Sequence, residues 1–308
     1  MLIKDIVVDN HFVKVISDNN IGQFENFDIP EDKLHSLTGI EINSKEDFVK
    51  MKELGKFKSY VELENALLSC SPLPYLLLNQ TAHSIPRAMT LVAKKTSGIV
   101  GFYVLSLNVS DFKKGVDANV QILNLLNQKL KKFRGLFDTS LDIALPDEIV
   151  LSLLKECVDE VNVHLDFKAQ IGIDCDSSFN DVNELVSLVE KFDICYVEDP
   201  FFDLLDCKEF TAKARYKCLV CSELNRENYD NFLDKRVYSS VKITSESVLD
   251  LVSRMDFFIK NKIAVACSSV DLAVAFNFPI LIIAPNEREK ISKVLEIQEQ
   301  IKKIVSVK

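Results

Sequence analysis

The sequence predicts an α/β chain, a small N-terminal α+β domain followed by a β/α barrel of the TIM type, from three observations. After residue 72, short runs that are apolar throughout alternate with longer amphipathic stretches, the pattern of parallel strands covered on both faces by helices. About eight such runs occur, which points to a closed barrel more than to an open sheet. Four consecutive runs also end in a charged residue, Asp174, Glu198, Glu223 and Lys242, spaced 24, 25 and 19 residues apart. Each interval has the length of a strand, a helix and two short loops.

The elements follow in order. Residues 2–8 and 12–17 are rich in Val and Ile and read as strands joined by a turn at Asp9-Asn10. Helical patterns occupy roughly 45–54 and 59–70, with Ser44 ahead of Glu46-Asp47 as an N-cap. Pro72 and Pro74 mark a boundary, giving an N-terminal domain over 1–71 and a barrel domain over 72–308. Strands are then expected near 75–79, 99–108, 169–175, 194–198, 217–222, 238–243, 263–267 and 279–284. The clearest helices fall near 117–133, 147–160, 180–191, 246–260 and 287–305. No GxGxxG follows a strand and no GxxxxGK[ST] occurs, so neither nucleotide-binding sheet is supported.

Composition narrows the function classes. The 308 residues are 47% hydrophobic and 27% charged, an ordinary globular balance. A net charge of −9 and a pI near 5.1 argue against unspecific nucleic-acid binding and against an anionic membrane partner. The eight cysteines are irregularly spaced and several, including Cys195, Cys221 and Cys267, lie in apolar runs. Buried, reduced thiols of a cytoplasmic protein have that distribution. Cys218 and Cys221 have CxxC spacing, but on a strand residues i and i+3 face opposite sides, so shared metal binding is not expected. The opening Met1-Leu2-Ile3-Lys4-Asp5 becomes charged too soon for a secretory leader. The longest apolar stretches, such as Ile280 to Pro285, are too short to span a bilayer. The basic run Lys129 to Arg134 reads as a solvated helix end, where cations suit the dipole.

A parallel barrel carries its chemistry at the carboxyl ends of its strands, so three acids and a lysine there can form one cluster. The segments around them resemble the enolase (phosphopyruvate hydratase) family. The resemblance rests on Ile171-Gly172-Ile173-Asp174 followed by Ser177-Ser178, Val197-Glu198-Asp199-Pro200-Phe201, and Val241-Lys242 with Ser245-Glu246-Ser247. It continues through Asp271 to Ala275, Ala284-Pro285-Asn286-Glu287-Arg288 and a closing amphipathic helix. Pro72-Leu73-Pro74 with Asn79 and His83 is similar to the stretch that opens the enolase barrel.

That resemblance implies an enolase-like barrel with Mg²⁺ held by Asp174, Glu198 and an acid after Val220-Cys221. Glu223 is the available acid at that third position, although Ser222 aligns with the family's ligand and adjacent strand residues face opposite ways. It further implies Lys242 as the catalytic base and His83 as a substrate-loop histidine. Enolases usually pair, so a homodimer, or a heterodimer with a full-length enolase, is expected. Each residue also has a purely structural alternative: a strand-end carboxylate can cap the next helix, and Lys242 can serve as its counter-ion.

The departures are numerous. The family's Ser-His-Arg-Ser segment corresponds to Ala266-Cys267-Ser268-Ser269, and neither cysteine nor serine replaces the forked grip of arginine on phosphate. The second family lysine corresponds to Leu281, the Gly-Asp-Glu-Gly-Gly motif to Asp138-Thr139-Ser140, and the Gln-Glu pair to Pro86-Arg87-Ala88-Met89. Asn20-Ile21-Gly22-Gln23-Phe24 stands where the family has a lid loop. The sequence expectation is an enolase-like protein that has lost 2-phosphoglycerate dehydration and acts through binding or assembly. The alternative is a divergent Mg²⁺-dependent lyase or isomerase that abstracts a proton next to a carboxylate, with a true phosphopyruvate hydratase of glycolysis as the third choice.

Overall fold

The computed structural model describes residues 1–71, 85–131, 145–224, 237–244 and 247–306. The chain begins with a three-stranded antiparallel sheet of β1 (Ile3–Asp9), β2 (Phe12–Ser17) and β3 (Ile21–Glu25), in that order. Asn10, in the turn between the first two strands, has φ of 54°, a region Asn tolerates. Short helices α1 (Glu31–His35) and α2 (Lys45–Val49) and a longer α3 (Tyr60–Ser69) pack beside this sheet. At the start of α2 the Asp47 carboxylate accepts from the backbone N–H groups of Asn43 and Ser44, at 2.9 and 3.1 Å. It ties down donors that a helix start leaves free, as the reading of Ser44 as a cap requires.

Segment 20–24, expected to stand in place of a lid loop, is strand β3. Its alternating burial lays Gly22 and Phe24 inward, and Gly22 faces α3 so closely that a Cβ there would sit 2.0 Å from the Ala66 carbonyl oxygen. Only a residue without a side chain lets sheet and helix approach this far.

The remaining strands close into a barrel, ordered β10-β11-β4-β5-β6-β7-β8-β9. They are β4 (Arg87–Lys94), β5 (Gly101–Leu107), β6 (Lys168–Asp174), β7 (Ile194–Glu198), β8 (Leu219–Glu223), β9 (Ser240–Ile243), β10 (Ala264–Cys267) and β11 (Ile280–Ile283). Between them run α4 (Phe112–Leu130), α5 (Asp147–Asn162), α6 (Val182–Phe192), α7 (Leu204–Ala214), α8 (Val248–Asn261) and α9 (Val270–Ala275), and α10 (Arg288–Ser306) ends the described chain.

Two expectations need correction. The barrel is not parallel throughout: β5 runs antiparallel to both β4 and β6. Six residues, 95–100, join β4 to β5, which suffices for a hairpin, whereas a parallel crossover needs about a dozen or more. Gly98, at φ of 71°, turns the hairpin, and the Lys95 N–H donates to the Val100 carbonyl at 2.9 Å. β5 is buried on both faces, so apolar content reports its coverage but not its direction. The second correction is β4 itself, Arg87–Lys94, a strand absent from the expected series, which passes from 75–79 to 99–108. The strand expected at 75–79, like His83 and the Asp138-Thr139-Ser140 segment, lies outside the described residues.

Apolar side chains sort into an interior column and an outer shell. Met89, Tyr103, Leu105, Tyr196, Cys221, Ala266 and Ile280 fill the barrel. Alternate residues, such as Val104, Ile171, Val197 and Val220, face the helices. A third body of core is shared between the N-terminal sheet with its helices and the β9–β11 side of the barrel. Across that contact Glu64 of α3, fully buried, accepts from the Val248 N–H at the first turn of α8, at 2.7 Å. Burial holds the Glu64 carboxyl above its ordinary range.

Gly22→Ala should cost about 3 kcal/mol, because the new Cβ meets backbone and not a movable side-chain tip. Urea unfolding would measure it, and a variant within experimental error of wild type would show that β3 can lift from α3.

Candidate metal and acid–lysine site at the barrel mouth

The site forms where β6 to β9 end. Register places Asp174 beside Glu198 and Glu198 beside Cys221, while Glu223 is level with Lys242. Equivalent rungs of neighbouring strands project to the same side of a sheet, so Asp174, Glu198 and Lys242 all face the barrel axis. Lys242 comes from the strand next but one to β7, and its long side chain spans the gap. Its Nζ donates to Glu198 Oε1 at 2.5 Å, and the Tyr196 hydroxyl donates to Glu198 Oε2 at 3.0 Å. Both oxygens of a carboxylate that is only 1% exposed therefore have donors.

Asp199 completes the group. One oxygen from each of Asp174, Glu198 and Asp199 lies within 4.8 Å of the other two. Asp199 has φ of 41°, a left-handed conformation that is unusual for any residue preceding proline. Its Oδ1 accepts from the Ser222 hydroxyl at 2.5 Å, and its backbone N–H donates to the Cys221 carbonyl. The neighbouring β6–α6 turn is also bent into positive φ, at Asp176 (45°) and Ser177 (57°). The Asp176 N–H donates to Asp174 Oδ1 at 3.1 Å. Strained backbone of this kind persists where surrounding contacts over-determine it, commonly at functional sites.

Electrostatics follow from burial and crowding. Burial, reinforced by Asp174, pushes the Glu198 carboxyl up to about 7 even though Lys242 pulls it down. Burial likewise raises Asp174 and Asp199 above the usual carboxylate range. Burial pulls Lys242 down, but the charge and hydrogen bond of Glu198 outweigh it and leave the ammonium above its ordinary value. Among the described residues three crowded carboxylates thus share one ammonium. The excess negative charge can be relieved by a proton or by a divalent cation. The donors facing one another are all carboxylate oxygens, the set that hard cations such as Mg²⁺ and Ca²⁺ prefer, so the group could hold a metal ion.

Of the residues expected to act, Asp174, Glu198 and Lys242 converge. Glu223 stands at the rim, 3.9 Å from Lys242, with its Oε1 receiving the Thr244 hydroxyl at 2.5 Å. Asp199 takes the third place in the carboxylate group. In sequence Asp199 reads as part of the turn, because strand alternation aims it away from Glu198 and only the left-handed φ returns it. Asp174 both belongs to the group and accepts from the turn behind it, so its two readings hold together.

Of the positions that differ from the enolase pattern, Ala266, Cys267 and Leu281 are buried and apolar. Leu281 packs outward into the shell, and the interior residues of β11 are Ile280 and Ile282. Ser269 caps α9, its hydroxyl accepting from the Leu272 N–H at 3.3 Å. All eight cysteines are free and buried, and no helix among the described residues is long and apolar enough to cross a membrane. Compared with known proteins, the sequence matches no family model and no curated protein.

Since the folded-state pKa of Glu198 is raised, its contribution to stability is full below about pH 4.3, the unfolded carboxyl value, and is lost as pH rises through about 7. Urea unfolding should show stability falling between pH 5 and pH 8 by up to about 3 kcal/mol. The fall should flatten in Glu198→Gln; equal slopes in the two proteins would contradict the assignment.

Proposed function

We propose that the barrel mouth is a Mg²⁺-assisted site that abstracts a proton from carbon next to a substrate carboxylate, a divergent lyase or isomerase of the enolase type. The observation that carries the reading is the charge of Asp174, Glu198 and Asp199, against which Lys242 is the one ammonium found among the described residues. A barrel that needed only a structural ion pair would have no use for two further carboxylates in the same buried space.

Asp174, Glu198 and Asp199 would hold the ion, with Ser222 and Tyr196 orienting Asp199 and Glu198 through their hydroxyls. Bound there, Mg²⁺ would supply positive charge against the negative charge that builds on the substrate carboxylate, and would relieve Lys242 of its pairing with Glu198. Freed of Glu198, the Lys242 ammonium would release a proton to solvent; its neutral Nζ is then the base that takes the substrate proton, and the electron pair of the broken C–H bond moves toward the carboxylate. Dehydration of 2-phosphoglycerate is not part of the proposal. Ala266, Cys267 and Leu281 offer no grip for a phosphate.

A binding or assembly role is the second reading. The observation that favours it is the Lys242–Glu198 contact, which satisfies the lysine and leaves its side chain only 17% exposed.

Calorimetric titration with Mg²⁺ separates the two. The proposal expects binding that weakens about tenfold or more in Glu198→Gln and tightens in Lys242→Ala, where a competing cation has been removed. No binding to the wild type at millimolar metal would sink it. With Mg²⁺ present, NMR in D₂O should detect exchange of the proton next to the carboxylate in a panel of 2-hydroxy acids, and Lys242→Ala should abolish that exchange.

A further inference from the structure

Beneath the carboxylates the floor of the mouth is built from two tyrosines, and only one of them is engaged through its hydroxyl. Tyr196 is fully buried and donates to Glu198. Tyr103 of β5 meets it edge-on, with ring centroids 6.3 Å apart and planes at 85°. Gly172 lies between them: a Cβ there would stand 3.3 Å from the Cβ of each tyrosine. The floor therefore requires a residue without a side chain on β6.

The reversed direction of β5 gives Tyr103 its position. Because β5 starts where its neighbours end, its first residue, Gly101, pairs with Asp174 at the level of the mouth, and Tyr103 pairs with Gly172 one inward-facing step below. The Tyr103 ring leans up toward that level. A Cβ built on Gly101 would lie 3.4 Å from the Tyr103 hydroxyl and 3.1 Å from the Cβ of Asp174. The hydroxyl and Asp174 thus border the same gap, which the absence of a side chain at Gly101 keeps open.

Tyr103 is only 6% exposed, and among the described residues its hydroxyl makes no hydrogen bond, while the oxygen itself stays open to the mouth. A hydroxyl fixed on a packed ring and open to the mouth is available to whatever binds there. A protonated phenol carries no charge, so it adds nothing to the charge balance of the carboxylates and is free to donate. Burial and the neighbouring Glu198 and Asp174 charges keep the phenol protonated at neutral pH. It is a neutral donor beside a set of anions, suited to a ligand that brings an acceptor oxygen.

We infer that the Tyr103 hydroxyl is a substrate-contact group, donating a hydrogen bond to an oxygen of a carboxylate bound in the mouth. The inference rests on the proposal that the mouth is a metal-assisted site for carboxylate substrates. It adds an uncommitted neutral donor, on β5, to groups that otherwise come from β6 to β9. Tyr196 acts differently, positioning Glu198 and touching no substrate.

Calorimetry on the intact chain tests this, first with Mg²⁺ alone and then with oxalate added to the Mg²⁺-loaded protein, for wild type, Tyr103→Phe and Tyr196→Phe. Tyr103→Phe should keep the wild-type Mg²⁺ affinity and the wild-type unfolding midpoint in urea while losing about tenfold in oxalate affinity. Tyr196→Phe should weaken Mg²⁺ binding itself. Unchanged oxalate affinity in Tyr103→Phe overturns the inference alone, as does a wild type that takes Mg²⁺ but no oxalate. A loss of Mg²⁺ affinity in Tyr103→Phe matching that in Tyr196→Phe would make Tyr103 a support of the acid group and also overturn it. A wild type that binds no Mg²⁺ removes the metal-site proposal and this inference together.

Discussion

The contact between Lys242 and Glu198 is the interaction on which the barrel mouth depends. Burying Glu198 beside two more carboxylates would be prohibitive without a counter-charge, and Lys242 supplies it from across β8. Among the described residues one ammonium faces three acids, however, and burial displaces all three carboxyls toward the protonated form. The mouth is held in a condition that a proton or a cation would relax. That distinguishes it from the surface ion pairs of this chain, such as Lys113–Asp117 and Lys302–Glu299, where solvent already does most of the neutralising.

The rest of the fold serves that arrangement through close backbone approach. Gly172 admits the two tyrosines that floor the mouth, Gly101 leaves room beside Asp174, and Gly22 lets β3 lie against α3. The N-terminal sheet is joined to the barrel by shared core. It is also joined by Glu64, which caps α8 from a residue 184 positions earlier in the chain. Because α8 follows β9, the same cap steadies the strand that carries Lys242.

Much of the site was legible in the sequence. Apolar runs closed by Asp174, Glu198 and Lys242, at strand-plus-helix spacing, locate a barrel mouth because period and length are local properties. The buried, free state of the cysteines was legible too, from their placement inside apolar runs. Asp199 was not. It lies one residue beyond Glu198 and alternation aims it elsewhere; a left-handed φ, set by the turn and by Ser222 on the next strand, brings it back. Glu223 shows the converse, matching in spacing while the register puts Cys221 level with Glu198 and Glu223 two residues further out, at the rim.

By itself the sequence determined which segments are buried on both sides, where strands end in charge, and that the chain is acidic with thiols in its interior. These follow from side-chain chemistry within a few residues. Tertiary structure alone decided that β5 runs backwards, that Tyr103 therefore reaches the acids, and which acids stand together. Strand direction depends on a short hairpin, and convergence on the stagger between strands far apart in the chain. Neither leaves a mark on hydrophobic periodicity, because a strand covered on both faces looks the same whichever way it runs.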